Sequence, residues 1–287
     1  MKNAALIVKP RGDNLPQTVE YVLGVLKKYN INPMIETETA MRLNINIPTF
    51  SIQDMRRLAD FVIVLGGDGT LLYTSRLFRL INIPILAFNL GRLGFIMELE
   101  MQDFERIISD AVSDRLVLKR RMKITSEIRQ GRDVIFEEEA LNEVVINKGA
   151  PSRMLELSIY IDGSHITRYR SDGVIVSTPT GSTGYTISAG GPIVHPDMDT
   201  IIVSPICPHA LNIRPIVLPH TSTITVKLES SSVEAFVTYD GQIVRSFRND
   251  QEIIIKKSPV YANIAVKHDR NYYSVLKDKL GWGGELC

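Results

Sequence analysis

The run Gly66-Gly67-Asp68-Gly69-Thr70 lies between the apolar segment Phe61 to Leu65 and a helix-like stretch from Leu71 to Leu80. At such a junction glycines let the backbone turn sharply and approach a ligand. The following helix presents unpaired N–H groups and the positive end of its dipole. The chemistry this predicts is phosphate binding. The spacing G-G-x-G is not the dinucleotide fingerprint G-x-G-x-x-G, and no Gly-Lys-Ser/Thr follows to make a P-loop. Asp68 adds a negative charge that a plain phosphate cradle lacks. A carboxylate placed there has a task of its own, holding a magnesium ion or accepting a hydroxyl proton, and both belong to phosphoryl transfer. The competing reading is an Asp-Gly turn after a strand. Three glycines exceed what one turn requires.

Thr178-Pro179-Thr180-Gly181-Ser182-Thr183-Gly184-Tyr185 follows the strand-like Gly173 to Ser177. Hydroxyls alternate with glycines, so side-chain and backbone donors can converge on phosphate or sugar oxygens, and Tyr185 can stack on a base. Ser188-Ala189-Gly190-Gly191-Pro192 prolongs this path of small residues, which a generic Ser/Thr/Gly loop does not need. Asn142-Glu143 is a weaker candidate. Two adjacent polar residues in the run Ala140 to Ile146 point to opposite faces of a strand, which leaves one of them bonded inside or lining a site. An edge strand carries such pairs as well. His195 and His209 each neighbour a proline, and none of the five histidines stands at metal-ligand spacing.

These residues need elements to hold them. In the first hundred residues strand-like and helix-like periods alternate. Leu6 to Val8 reads as a strand, then Asn14 and Pro16 open a helix with Val19, Val22, Leu23 and Leu26 on one face. Phe61 to Leu65 reads as a strand covered on both sides, Ile83 to Phe88 as another, Asn89 to Gly94 as a loop, and Met101 to Val112 as a helix. Beyond about Leu116 the runs shorten to period two: 123–129, 134–139, 155–161, 223–228 and 234–239. Asp162-Gly163 and Asp240-Gly241 sit between such runs as hairpin turns. The expectation is an α/β domain over 1–115, rejoined by a helical tail within 268–287, and an all-β domain over 116–267.

Composition excludes several classes. The 287 residues carry 33 Lys and Arg against 32 Asp and Glu, so net charge gives no reason to expect nucleic acid or a charged membrane surface as a partner. Lys119-Arg120-Arg121 and Lys256-Lys257 read as solvated faces, without the aromatic interleaving of a nucleic-acid groove. The two cysteines, Cys207 and Cys287, suit free thiols in a reducing compartment. No apolar run approaches a membrane span, so a cytoplasmic protein is expected.

Taken together, G-G-D-G-T, the Asn142-Glu143 pair, T-P-T-G-S-T and Gly190-Gly191-Pro192-Ile193-Val194-His195-Pro196 resemble, in content and order, the NAD kinase family. Asn89-Leu90-Gly91-Arg92-Leu93-Gly94-Phe95 and Pro205 to His209 extend the likeness, which reaches Gln242. The resemblance implies a Rossmann-like or phosphofructokinase-like three-layer α/β domain and an all-β domain. It also implies transfer of the γ-phosphate of ATP, accompanied by magnesium or another divalent cation, to the 2′-hydroxyl of the adenosine ribose of NAD. By the same likeness Asp68 deprotonates that hydroxyl, and Gly67, Asp68 and Gly69 touch the dinucleotide. Asn142, Glu143, Arg153, Arg170, Asp172 and Gln242 would contact it too, and Thr183, Gly184, Tyr185, Thr186, Ile187 and Ser188 would line the adenosine pocket. A homo-oligomer, dimer or tetramer, is expected on the same ground. Two departures stand out: family members commonly carry alanine where this chain has Gly184, and often a basic residue near Tyr73.

Other readings compete. A lipid or sugar kinase sharing the G-G-D-G turn is one, although no membrane-facing stretch supports the lipid case. A non-catalytic dinucleotide sensor is another, against which stands Asp68. A hydride-transferring oxidoreductase lacks its fingerprint.

Overall fold

The structure is a computed structural model that describes residues 1–91, 94–149, 153–210, 212–229, 234–267 and 271–281. The chain divides into two compact units, Met1–Arg120 with Ala262–Cys287, and Arg121–Tyr261.

The first unit opens with β1 (Lys2–Val8), α1 (Leu15–Lys28), β2 (Ile31–Glu36), α2 (Thr37–Leu43), β3 (Thr49–Phe50), α3 (Ile52–Leu58), β4 (Phe61–Gly66) and α4 (Asp68–Leu77). It continues with β5 (Pro84–Asn89), β6 (Leu99–Glu100), α5 (Phe104–Val112) and β7 (Leu118–Arg121). Every residue of β4 is buried. Phe61, Ile63 and Leu65 pack with Val19, Val22 and Leu26 of α1 and with Phe104, Ile107 and Ile108 of α5. Val62 and Val64, equally buried, face the other side, so helices cover both faces and the arrangement is three-layered.

The sheet order runs β3-β2-β1-β4-β5, with these strands parallel. The chain moves outward one way from β1 and the other way from β4. That reversal is a topological switch point, and the crevice beyond the carboxyl ends of β1 and β4 is where open α/β sheets bind ligands. Gly66 and Asp68 stand at its edge. Helix α4 begins at Asp68, three residues earlier than the apolar pattern indicates, because Gly67 supplies the extended residue ahead of the helix. Asn14 precedes α1 in a left-handed conformation and makes no side-chain cap. Residues 101–103 form a 3₁₀ turn rather than the start of α5.

The second unit holds β8 (Ile124–Gln130), β9 (Asp133–Ala140), β10 (Glu143–Lys148), β11 (Leu155–Ile161), β12 (Ser164–Ser171) and β13 (Gly173–Ser177). After a 3₁₀ turn, Thr180–Thr183, and the one-turn helix α6 (Tyr185–Ser188) come β14 (Thr200–Ile206), β15 (Ile216–Pro219), β16 (Ile224–Leu228), β17 (Ala235–Tyr239), β18 (Ile243–Phe247) and β19 (Gln251–Lys257). They form two antiparallel six-stranded sheets, β15-β14-β13-β10-β17-β18 and β12-β11-β16-β19-β8-β9. Their inner faces share one core, in which Val144, Val176 and Val237 meet Leu157, Val226 and Ile253. Burying side chains of this size stabilises by about 1.5–3 kcal/mol each. Both Asp-Gly hairpins have positive φ at the two central residues, 49° and 79° at Asp162-Gly163 and 48° and 64° at Asp240-Gly241, as the tightest hairpin turn requires.

Two sequence expectations need correction here. Residues Ala262–Ala265, which the expected bound of 267 put in the β domain, form the strand β20, which pairs in parallel with β5 and belongs to the first sheet. Arg121 is not solvated but buried, and its guanidinium pairs with Asp197. Lys257 likewise pairs with Asp199 at 3.0 Å. The tail helix α7 (Tyr272–Leu280) buries Val275 and Leu276 in the first unit. Cys207 is an exposed free thiol, while Arg92, Leu93 and Cys287 lie outside the described residues.

Candidate active site

In the first unit the site is organised around the Asp68 carboxylate. Its Oδ2 accepts the N–H of Phe95 at 2.8 Å and of Ile96 at 3.4 Å, and its Oδ1 accepts that of Met97 at 3.1 Å. The loop after β5 therefore folds over the first turn of α4 and fixes the acid by main-chain donors. A carboxylate offers about four acceptor positions, so with three occupied roughly one remains for an incoming hydroxyl. Gly94 makes this approach possible: a Cβ on it would lie closer than 3.0 Å to Oδ1, Oδ2 and Cγ of Asp68. The cradle itself is narrower than the glycines imply. The N–H groups of Thr70 and Leu71 turn back onto the Gly67 carbonyl at 2.8 and 3.2 Å, so anion attraction falls to the earlier peptides and the helix dipole.

In the second unit Asn142 lies in a bend and Glu143 opens β10, so the two do not alternate along one strand as the sequence suggests. The bend is held on all sides. The Asp240 carboxylate accepts the N–H groups of Leu141, Asn142 and Glu143 at 3.1, 2.8 and 3.2 Å. The N–H of Thr178 donates to the Asn142 carbonyl at 2.9 Å, and the Thr178 hydroxyl to that of Leu141 at 2.6 Å. Gly181 sits so close to the Asn142 carbonyl that any side chain there would overlap it. With the backbone consumed, the side-chain oxygens Asn142 Oδ1 and Glu143 Oε2 are buried without a protein partner, and so is the hydroxyl of Thr180. Buried polar atoms left unpaired are costly, and three on neighbouring turns point to a polar ligand.

Burial is the main reason the Glu143 carboxyl is pushed up from its ordinary 4.5 to about 8, with the nearby Asp240 charge adding to it and a hydrogen bond from the Tyr185 N–H opposing it. Glu143 is therefore mostly protonated at neutral pH in the ligand-free protein. The consequence for stability has a definite sign. Between about 4.5 and about 8 the unfolded chain has lost this proton and the folded one keeps it, so stability falls as pH rises through that window. The melting temperature of ligand-free protein should decline across it, and Glu143→Gln should flatten the decline when both are followed by calorimetry.

The Thr178 to Ser188 stretch is a 3₁₀ turn and a short helix rather than an open loop. The Thr183 hydroxyl donates to the Thr180 carbonyl at 3.3 Å, and the buried Thr186 hydroxyl to Ser177 Oγ at 2.8 Å. Gly184 faces the Asn142-Glu143 pair, and an alanine there would put a methyl 3.1 Å from Glu143 Oε2. Tyr185 is 45% exposed, with Ile187 half-buried and Ser188 exposed beyond it. Gln242 is exposed in the turn that carries Asp240.

The second unit thus brings Asn142, Glu143, Gly184, Tyr185 and the Asp240–Gln242 turn together, with Thr183, Thr186, Ile187 and Ser188 on the adjoining turns. Arg153, Arg170 and Asp172 stand elsewhere. Glu143 registers with Ser177 and Asn147 with Gly173, so Asp172 lies beyond the other end of β10, roughly 17 Å away at strand rise. Asp172 pairs there with Lys148 at 2.7 Å, the carbonyl of the exposed Arg170 accepts the His209 N–H at 2.8 Å, and Arg153 is exposed ahead of β11. Gly67, Asp68 and Gly69 belong to the first unit. Sequence reasoning missed Asp240, Gly94 and Thr180 as site residues. The first was visible only as a turn signal, and the other two lay inside stretches already singled out.

A carboxylate anchored at a switch point, and a cluster of unpaired buried polar atoms in a β unit, fit a nucleotide phosphotransferase. Residues 5–116 match the ATP-NAD kinase N-terminal domain and residues 141–266 the ATP-NAD kinase C-terminal domain. The chain is 36% identical over 283 residues to an NAD kinase of Geobacter sulfurreducens, covering 99% of each. It is 38% identical over 276 residues to one of Cellvibrio japonicus, covering 94% of this chain and 92% of that one. Among solved structures, yeast NADH kinase complexed with NADH superposes with a TM-score of 0.92 at 26% identity, over 100% of this chain and 89% of that one. An NAD kinase from Archaeoglobus fulgidus in complex with ATP gives 0.75 at 29% identity, over 98% and 100%. The chain belongs to the ATP-NAD kinase family.

Proposed function

We propose that the protein transfers the γ-phosphate of ATP to the 2′-hydroxyl of the adenosine ribose of NAD, giving NADP. The observation that carries this reading is the Asp68 carboxylate, fixed by the Phe95, Ile96 and Met97 N–H groups with an acceptor position to spare. As the ribose oxygen attacks phosphorus in line, Asp68 accepts its proton. A carboxylate is a weak base, but in a loose transition state the hydroxyl proton leaves late, so positioning matters more than basicity. The positive end of α4 stabilises charge growing on the phosphoryl oxygens.

In this reading Asn142, Glu143 and Thr180 take the polar edges of the dinucleotide, Tyr185 stacks on a base, and Gln242 reaches the same ligand. Arg153, Arg170 and Asp172 then serve a more distant part of it. Among the described residues no group of three His, Cys, Asp or Glu side chains is placed to hold a metal. Magnesium or another divalent cation accompanies the ATP substrate in this reading, where it neutralises phosphate charge. We read the protein as a cytoplasmic homo-oligomer on its resemblance to the family. Among the described residues no helix is long and apolar enough to cross a membrane.

Purified protein mixed with ATP, magnesium and NAD should yield NADP, detected with an NADP-specific dehydrogenase, and chelation with EDTA should stop it. No NADP from the wild-type chain would end the kinase reading in favour of a dinucleotide sensor.

A further inference from the structure

The turn Asp240-Gly241 does more than reverse the chain. Asp240 is 6% exposed, although its backbone, at φ 48°, has the left-handed shape usual for exposed hairpin tips. Its carboxylate faces away from solvent onto three successive peptides, those of Leu141, Asn142 and Glu143. Its own N–H donates to the Glu143 carbonyl at 3.0 Å, so the two turns are tied in both directions. The other Asp-Gly turn is tied more lightly: Asp162 donates its N–H to the Thr223 carbonyl at 2.9 Å and its carboxylate accepts the Thr223 N–H at 2.8 Å, so it engages one residue where Asp240 engages three successive peptides, and it is exposed.

We propose that Asp240 is a positioning residue for the dinucleotide: its carboxylate fixes the Asn142-Glu143 bend through three backbone N–H groups and so aims Asn142 Oδ1 and Glu143 Oε2 at the ligand. The inference rests on the proposed NAD site. Charge-assisted bonds are roughly twice as strong as neutral ones, and converging three on one carboxylate leaves the bend a single arrangement. The Thr178 N–H and hydroxyl take the carbonyls on the opposite side, so the peptides that carry the pair have no freedom to tilt. The same turn carries Gln242, which ties the two ligand-facing groups into one rigid piece. Asp240 also adds to the effect of burial on the charge state of its neighbour. From the β17–β18 turn Asp240 brings a negative charge to Glu143; α6 brings the Tyr185 N–H, and β13 brings the uncharged Ser177 opposite it. Burial first, and the Asp240 charge after it, keep the Glu143 carboxyl protonated, able both to donate and to accept.

The test compares Asp240→Asn, Asp240→Glu and Glu143→Gln in full-length protein, with NAD dissociation constants measured by calorimetry from pH 6 to pH 9 beside steady-state kinetics. Asp240→Asn keeps the size but offers one acceptor where there were two and removes the charge. KM for NAD should rise tenfold or more, KM for ATP should change less than threefold, and the pH midpoint of NAD binding should move to lower pH. Asp240→Glu keeps the charge but displaces the acceptors, so affinity should fall with the midpoint unmoved; this variant carries the test should the asparagine protein not fold. A merely structural role would lower the melting temperature of both variants while leaving NAD affinity as in the wild type in Asp240→Glu, and both affinity and midpoint as in the wild type in Asp240→Asn; either result would overturn the proposal. If Glu143→Gln weakens NAD binding while Asp240→Asn does not, positioning by Asp240 fails and the site stands. If Glu143→Gln leaves NAD binding unchanged at every pH, the assignment of the site itself is wrong.

Discussion

Asp68→Asn lowers kcat for NADP formation by about 10²–10⁴-fold, the range expected when a positioned proton acceptor is removed. The reasoning starts from the carboxylate's surroundings. Three main-chain donors hold it, so it has no rotamer freedom to lose when substrate arrives. An asparagine in its place presents one oxygen to those donors and turns an N–H₂ group toward the ribose hydroxyl, which then finds a donor where it needs an acceptor. KM for ATP should change little, because the carboxylate carries no role in binding the triphosphate. The product behaves differently from the substrate. The new 2′-phosphate sits beside an ionised Asp68 once the borrowed proton has gone, and like charges at that distance repel. The variant should therefore bind NADP at least as tightly as the wild type while turning over far more slowly. Isothermal titration with NADP decides the matter: weaker binding by Asp68→Asn would refute the repulsion, and turnover within tenfold of the wild type would remove Asp68 as the proton acceptor.

How far this site could be read from the sequence depends on the distance over which each residue acts. The β4–α4 junction was legible because its causes are local: an unbroken apolar run from Phe61, then glycines, then a helix. The alternation of periods before Leu116 and the short runs after it likewise reflect neighbours along the chain. The partners of Asp68 were not legible, since they are main-chain N–H groups 27 to 29 residues further on, and every residue but proline has one. Asp240 hid for another reason. An Asp-Gly pair between two strands is fully explained by the turn, so nothing in its surroundings hints at peptides 97 to 99 residues earlier. Arg121 shows the same limit from the charged side. Lys119-Arg120-Arg121 reads as a solvated face, and only the pairing with Asp197, 76 residues away, makes one of the three a buried group. The boundary of the β domain was set at 267 rather than 261 because period and composition do not tell which neighbour the Ala262–Ala265 strand finds.

Gly94→Ala tests whether the anchoring of Asp68 matters as much as its charge. The added methyl would overlap both carboxylate oxygens, so either the 95–97 loop lifts or Asp68 turns out of its three bonds. Neither movement need unfold the protein. The loop is short and lies at the end of β5, and the core beneath, with Phe88 and Leu99 in it, does not depend on the Gly94 side. What suffers is the alignment of the acceptor with the ribose hydroxyl, and a misplacement of about 1 Å is worth on the order of 10²-fold in rate. The expected outcome is a fall in kcat of about that size, a melting temperature within a few degrees of the wild type, and NADP binding that weakens little. Because the carboxylate keeps its charge in this variant, product repulsion persists. Gly94→Ala and Asp68→Asn should therefore lower turnover together yet differ in NADP affinity, with the asparagine variant binding the tighter of the two. Equal affinities would mean that the Asp68 charge does not act on the bound product, and an unchanged kcat in Gly94→Ala would mean that the three main-chain bonds are dispensable for catalysis.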